Sequence, residues 1–439
     1  MNRLSLIILI LAFTVAPALG QKYKKKNILK DLNTIEGFEN AFIGFVLYDP
    51  EKDKVIATQN ADKHMTPASV TKLFTAYAAL EYLPETLSAA EYTVNGDSLI
   101  FWSTGYPLTL HQDHRDSTLI EFLSQSDKQI YYWPRPSEDE RFGPGWGWDD
   151  YSGYYGAEKS LFPIYGNSVQ FIIDNDNQTF DSSPKHQGIK VSVDTITSER
   201  ARVSRDEFWN EFSVQFGEEG IDTLVRPFRY SDQLFTELLE QETGQSIDLL
   251  KDYTKPEAFQ ELKGTRRDSL LKWMLQPSDN LFAEQFLQMI SGTQSDTLGV
   301  KKGINLSTSA SALIGGLDGP PRYRPVLDHN LAWRDGSGLT RYNMFKPNEI
   351  LKLLKNLNLD LAKKILPQGQ TSGTIKDWYS PAVYAKTGTL SNNHSLAGYI
   401  ETEKGKTLIF VLMANHYTAS TTKIRENFGL ILEKIRKGY

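Results

Sequence analysis

The sequence predicts an α+β protein whose scaffold of strands and helices is interrupted by a domain-sized insertion. Three observations predict it. Short β-type runs stand near the start of the chain (Phe42 to Tyr48, Val55 to Gln59) and again near its end (Val383 to Leu390, Ser395 to Thr402, Thr407 to Asn415), with helical patterns beside them. After Leu83-Pro84 the texture changes to Tyr-, Trp-, Gly- and Asp-rich segments with short strands. Finally, Ser69 and Ser278 are 209 residues apart while Ser278 and Lys386 are only 108 apart, and the excess in the first interval is domain-sized, roughly 150 residues or so.

Taken in order, residues 1–20 read as a secretory signal peptide: Arg3 is the basic start, Leu4 to Phe13 the apolar run, and Ala18-Leu19-Gly20 the cleavage site before Gln21. A membrane anchor is the competing reading, but the run is short against the roughly 20 residues of a span and Pro17 interrupts it. The chain has no cysteine, which excludes disulfides, a lipid-modified N-terminal cysteine and a thiol nucleophile. A net charge of −6 offers no basic field for nucleic acid.

Lys24-Lys25-Lys26 reads as a solvated run, followed by a helix from Asn27 to about Asn40. The two β-type runs around Asp49 to Asp53 form a hairpin. Thr66-Pro67-Ala68-Ser69-Val70-Thr71-Lys72 then opens a buried helix, with Thr66 as N-cap and Pro67 at the first helical position. Ser69 falls in the first turn, where its amide is free to donate outside the helix. Lys72 lies three residues on, on the same face, and its amine can take the serine proton if burial keeps it neutral. The insertion runs from about Tyr92 to Gln245, with strands at Glu91 to Val94, Ser98 to Trp102, Val169 to Asp174 and Ile189 to Val193, so that 21–91 and 246–439 form the catalytic part. Asp268 to Ile290 is helical, and Pro277 breaks it so that Ser278-Asp279-Asn280 sits at the junction. In the last helix, Ala419 to Lys437, the stripe Ile424, Phe428, Ile431 and Ile435 reads as core packing rather than a membrane face.

Ser-x-x-Lys also occurs at Ser182, Ser269 and Ser420, and Ser231-Asp232-Gln233 is a near-miss for Ser-Asp-Asn. Ser182 precedes a proline in a polar turn, Ser269 abuts the second motif and Ser420 follows the third, whereas Ser69 opens an apolar run and is followed in order by Ser278-Asp279-Asn280 and then Lys386-Thr387-Gly388-Thr389. Ser-x-x-Lys, Ser-Asp-Asn and Lys-Thr-Gly in that order are the signature of penicillin-binding proteins and serine β-lactamases. Together with Gly143-Pro144-Gly145-Trp146-Gly147-Trp148-Asp149-Asp150 and Trp333 to Arg341, they make the chain resemble the class C penicillin-binding proteins of the PBP4/DacB type, the D-alanyl-D-alanine carboxypeptidase and endopeptidase family (peptidase family S13).

That resemblance implies a β-lactamase/transpeptidase-like fold: an antiparallel sheet flanked by helices, an all-helical subdomain bearing Ser69 and Ser278, and a mixed α/β insertion. It implies that Ser69 attacks a D-Ala-D-Ala or D-Ala-diaminopimelate bond, Lys72 takes its proton, Ser278 relays a proton to the leaving amine, and Asn280 holds Lys72 and the substrate amide. Lys386, Thr387 and Thr389 meet the terminal carboxylate, Gly388 makes room for the substrate backbone, and the amides of Ser69 and Thr389 form the oxyanion hole. Lys386 also helps keep Lys72 neutral. Asp150 and Arg341 match positions that recognise the zwitterionic end of the diaminopimelate side chain, with a structural ion pair as the alternative. The family's Gly-Asp-Pro segment reads Gly105-Tyr106-Pro107 here. The implied partners are peptidoglycan peptides as substrate and β-lactams as inhibitors, in the periplasm, with no cofactor or metal. Peripheral membrane association is left open.

Other chemistries find less support. The histidines are scattered, no Gly-x-Ser-x-Gly occurs, and His111-Gln112-Asp113-His114 lacks further ligands to make a metal site. Between Asn280 and Lys386 neither Glu284 nor Glu349 has the Asn four residues on that a class A β-lactamase uses. An esterase or D-aminopeptidase satisfies the same motifs. A catalytically silent peptidoglycan-binding protein is disfavoured by the intact motif residues.

Overall fold

The computed structural model describes residues 23–309, 327 and 330–439. The expected signal peptide and its cleavage site lie outside them. Helix α1 (Lys25–Thr34) stops short of the expected Asn40, because Ile35 is extended and Gly37, at φ +95°, turns the chain towards β1. Strands β1 (Phe42–Asp49) and β2 (Lys54–Gln59) form the expected hairpin. A 3-10 turn, Ala68–Thr71, runs into α2 (Lys72–Tyr82).

The chain then departs through β3 (Thr86–Asn95), β4 (Ser98–Trp102), α3 (Thr118–Ser124) and β5 (Gln129–Trp133). It continues through β6 (Ser168–Asp174), β7 (Thr179–Ser183), β8 (Lys190–Val193), β9 (Arg202–Arg205), β10 (Glu211–Gln215) and β11 (Ile221–Pro227). It comes back through α4 (Asp232–Thr243), β12 (Ile247–Leu249) and β13 (Gln260–Arg266). Helices α5 (Arg267–Leu275), α6 (Asn280–Gly292), α7 (Val300–Thr308), α8 (Pro347–Asn356) and α9 (Leu359–Ile365) follow. The hairpins of β14 (Val383–Leu390), β15 (Asn393–Glu401) and β16 (Thr407–Asn415) and the helix α10 (Thr421–Gly438) complete the chain.

The scaffold is an antiparallel sheet of order β14-β15-β16-β1-β2, in which β1 pairs with β16 and so joins the two ends of the chain. Alternate side chains serve two cores. Val411 and Met413 of β16 and Val46 of β1 pack with Leu73 and Phe74 of α2 and with Phe282 and Phe286 of α6. Phe410, Leu412, Phe45 and Leu47 pack with α1 and α10 on the other face. A sheet buried on both faces needs apolar residues at every position, which is why these strands read as near-continuous apolar runs. The α10 stripe Ile424, Phe428, Ile431 and Ile435 is buried in the second core, as expected.

β3 and β13 are antiparallel neighbours in a sheet of order β12-β5-β4-β3-β13, so the departing and returning strands lie side by side. The expected limits of the insertion fall inside β3 and before β12. The returning strand, Gln-Glu-Leu-Lys-Gly-Thr-Arg, has Leu262 as its one large apolar residue and lacks the alternation that marks a strand in sequence. Two further three-stranded sheets, β11-β6-β7 and β8-β10-β9, share a separate core with this one, built on Phe101, Tyr132, Phe162, Phe171 and Phe235. Among the described residues no helix is long and apolar enough to cross a membrane.

Replacing Ile431 by Ala empties space between α10 and the sheet. The expected loss is about 2–5 kcal/mol of unfolding free energy, read as a lower urea midpoint at unchanged slope.

Candidate active site

Ser69 is not placed by an α-helix capped at Thr66. The Thr66 amide donates to Asn415 Oδ1 at 2.8 Å and its carbonyl accepts from Asn415 Nδ2 at 3.1 Å, so β16 grips this residue in a two-point clamp. Two bonds to a distant amide displace the local cap, and the chain passes through Ala68 at φ +49° into the 3-10 turn that carries Ser69.

Lys72 is fully buried, and its Nζ lies 3.0 Å from Ser69 Oγ. The same Nζ donates to Asn280 Oδ1 at 2.6 Å and to the Ser337 carbonyl at 2.7 Å. Burial pushes its pKa down to about 8, against Asp279, Asp335 and Glu284, which pull the other way.

The break at Pro277 lies where expected, with Ser278 in left-handed backbone at φ +70° between α5 and α6. Asp279 caps α6 by accepting from the Phe282 amide at 2.7 Å. One N–H of the Asn280 amide goes to the Tyr155 carbonyl at 2.9 Å, which brings the segment around Tyr155 to the rim of the site.

β14 forms the opposite wall. Lys386 Nζ is buried and donates to Ser278 Oγ at 2.9 Å and to the Thr387 carbonyl at 2.8 Å. Burial and the nearby Lys72 hold Lys386 well below the ordinary lysine range. The repulsion between the two amines is mutual, so each disfavours the charge of the other, while three carboxylates near Lys72 stabilise its charged form. Thr387 Oγ1 pairs with Thr374 Oγ1 at 2.7 Å, while Thr389 is exposed and its Oγ1 lies 2.8 Å from His394 Nδ1. A Cβ on Gly388 would stand 2.8 Å from the Ser69 amide nitrogen and 2.3 Å from the Pro67 carbonyl, so only glycine lets β14 approach the nucleophile turn.

The segment Trp333 to Arg341 has a role that sequence reasoning missed. Asp335 accepts from the amides of Gly338 and Thr340 and from Trp146 Nε1, and Glu284 accepts from the amides of Gly336 and Ser337. These bonds hold the Ser337 carbonyl on Lys72. Glu284, one turn after Asn280 on α6, is fully buried and pushed up to about 7 by burial and by Asp335. The signal that could have found it is a glutamate among the apolar residues of Leu281 to Ile290.

Asp150 and Arg341 are not joined in an ion pair. Asp150 accepts from the Tyr155 hydroxyl at 2.9 Å, and the exposed Arg341 donates to the Ser391 carbonyl at 3.2 Å. His111 and His114 form an aromatic stack with Trp273, His114 lying 4.2 Å from the indole. With Tyr155 and Ser278 to Asn280 they line a cavity of about 330 Å³.

A serine with a buried amine at its hydroxyl, on a turn facing the edge strand of an antiparallel sheet, defines a serine acyl-transfer enzyme. Residues 24–97 and 135–435 match the D-Ala-D-Ala carboxypeptidase 3 (S13) family, and the chain belongs to that family of serine-type carboxypeptidases. It is 25% identical over 450 aligned residues to the D-alanyl-D-alanine carboxypeptidase DacB of Haemophilus influenzae, covering 87% of this chain and 86% of the relative. It is 26% identical over 222 residues to penicillin-sensitive carboxypeptidase A of Dictyostelium discoideum, covering 46% and 41%. The crystal structure of penicillin-binding protein 4 (dacB) from Haemophilus influenzae shares the fold, with a TM-score of 0.68 at 21% identity over 93% of this chain and 98% of that one.

Gly388→Ala is expected to fold but to separate β14 from the Ser69 turn, lowering acylation by penicillin about a hundredfold or more. Acylation kinetics beside a thermal melt check it.

Proposed function

We propose that the enzyme cleaves D-Ala-D-Ala and D-Ala-diaminopimelate bonds of peptidoglycan peptides through an acyl-enzyme on Ser69, and that β-lactams inhibit it by acylating the same serine. The observation that carries this reading is the buried Lys72 amine 3.0 Å from Ser69 Oγ. With a pKa of about 8, about one molecule in ten has the neutral amine at pH 7.

In this reading Ser69 Oγ bonds to the scissile carbonyl carbon as its proton passes to Lys72 Nζ. Charge on the carbonyl oxygen is met by the amides of Ser69 and Thr389. The C–N bond then breaks, and the leaving amine receives through Ser278 Oγ the proton that Lys72 took, with Lys386 Nζ holding that hydroxyl. Water releases the acyl group. Asn280 keeps Lys72 aimed at Ser69 and offers its second amide hydrogen to the substrate. The terminal carboxylate lies at Lys386, Thr387 and Thr389, and the peptide adds as a strand beside the second half of β14, an edge strand whose first half is already bonded to residues 367–369.

Asp150 and Arg341 recognise the amino and carboxylate groups at the far end of a diaminopimelate side chain, and the absence of a bond between them leaves both available to a zwitterion. The catalytic part comprises 21–91 and 246–439, and the segment between them borders the cleft through Tyr155. The leader, Met1 to Gly20, directs the enzyme to the periplasm, where peptidoglycan is.

Fluorescent penicillin is expected to label the mature enzyme stably, and neither Ser69→Ala nor Lys72→Ala to label at all while both keep the native melt. Rapid loss of the adduct would favour a β-lactamase instead. A protonated Lys72 cannot act as base, so the acylation rate is expected to rise with pH and level off above about 8. Below that it falls about tenfold per pH unit, and a flat profile from pH 6 to 9 would remove Lys72 from this role. Asp150→Ala and Arg341→Ala are expected to slow cleavage of peptides with a free diaminopimelate end roughly tenfold or more, leaving penicillin acylation as it was.

A further inference from the structure

His394 is buried on β15, directly across the hairpin from Thr389. Its Nδ1 lies 2.8 Å from Thr389 Oγ1, its Nε2 meets no hydrogen-bond partner, and its ring packs 5.3 Å from that of Phe428. Burial, with Arg425 and Lys386 nearby, pushes the imidazole pKa down to about 3, so the ring is neutral and carries one hydrogen.

That hydrogen has two places to be. On Nε2 it would be a buried, unpaired N–H, the rarer and more expensive defect, and Thr389 would have to donate its own hydrogen to Nδ1. On Nδ1 it is donated to Thr389 Oγ1, and only a bare acceptor is left without a partner. The second tautomer occupies a lone pair of the Thr389 hydroxyl and leaves its hydrogen pointing elsewhere. The other two carboxylate contacts of β14 are held by neighbouring hydroxyls, Lys386 Nζ on Ser278 Oγ and Thr387 Oγ1 beside Thr374 Oγ1. Thr389 is the exposed one of the three carboxylate contacts on this strand, and its hydroxyl pairs with His394.

We propose that His394 is a positioning residue: as the Nδ1–H tautomer it donates to Thr389 Oγ1 and so aims the hydroxyl hydrogen at the terminal carboxylate of the substrate. This rests on the reading of Thr389 as a carboxylate contact and adds what orients it. His394 touches no reacting atom and acts only through Thr389.

The test compares acylation efficiency of full-length enzyme on a β-lactam with a free carboxylate and on the same compound with that carboxylate esterified. The ratio of the two reads the carboxylate contact alone. Thr389→Val is expected to lower this ratio roughly ten- to a hundredfold, the range for a hydrogen bond to a charged group. His394→Phe, which keeps the ring but not the donor, is expected to lower it about three- to tenfold. His394→Asn, whose amide N–H stands where Nδ1–H does, is expected to restore it. If Thr389→Val lowers the ratio but His394→Phe leaves or raises it, the positioning role is overturned. If both efficiencies fall equally in His394→Phe, its role is structural and the proposal fails as well. If Thr389→Val leaves the ratio unchanged, the carboxylate reading of Thr389 is what fails, and the role of His394 goes with it. Nitrogen NMR of histidine-labelled enzyme reads the tautomer independently of any variant: a protonated Nδ1 beside a bare Nε2 is expected, and the reverse overturns the inference.

Discussion

The active site depends on one buried amine. Lys72 Nζ is removed from water, which disfavours its charge, yet it must stay within reach of Ser69 in a single geometry. Three groups achieve this: the Ser69 hydroxyl, the Asn280 amide oxygen and the Ser337 carbonyl. The latter two trace to one face of α6, because Asn280 contacts the amine itself and Glu284, one turn on, holds the backbone that presents Ser337. The surrounding carboxylates keep the amine from becoming too poor a base, and burial keeps it from being permanently charged. Its pKa is a compromise between those two effects.

Residues between 105 and 160 take part in this arrangement. Trp146 donates to Asp335, the residue that folds the 335–340 loop, and the Tyr155 carbonyl takes one hydrogen of Asn280. Gln285 of α6 donates to the carbonyls of Gly105 and Ser160. These bonds come from separate parts of the 105–160 stretch, so the helix that carries Asn280 and Glu284 is braced along its length. The cavity bounded by His111, His114 and Tyr155 opens where the two parts meet, beside Asn280.

The opposite wall is set by a different constraint. β14 is an edge strand, and an edge strand offers unpaired backbone groups to an extended ligand. Gly388 lets that edge press against the Ser69 turn, and Gly338, at φ +81°, lets the 335–340 loop press against the carbonyl of Ala68 from another side. A side chain at either position would meet backbone rather than a movable group. The nucleophile turn is thus held between two glycines and the clamp from Asn415, and Ser69 is positioned from three directions.

The ordered motifs at Ser69, Ser278 and Lys386, strand 383–390, the break at Pro277 and the core stripe of α10 were legible because each depends on contiguous residues. Periodicity, a proline and a motif are local signals. What escaped sequence reasoning depends on residues far apart in the chain. The cap expected at Thr66 gave way to Asn415, β3 pairs with a strand that has little signature of its own, and the Trp333 to Arg341 segment proved to be a support for Lys72. The sequence by itself determined which groups are present and their order along the chain. Only the tertiary structure decided their protonation and aim, because desolvation and hydrogen-bond partners are properties of the packed interior and not of the chain.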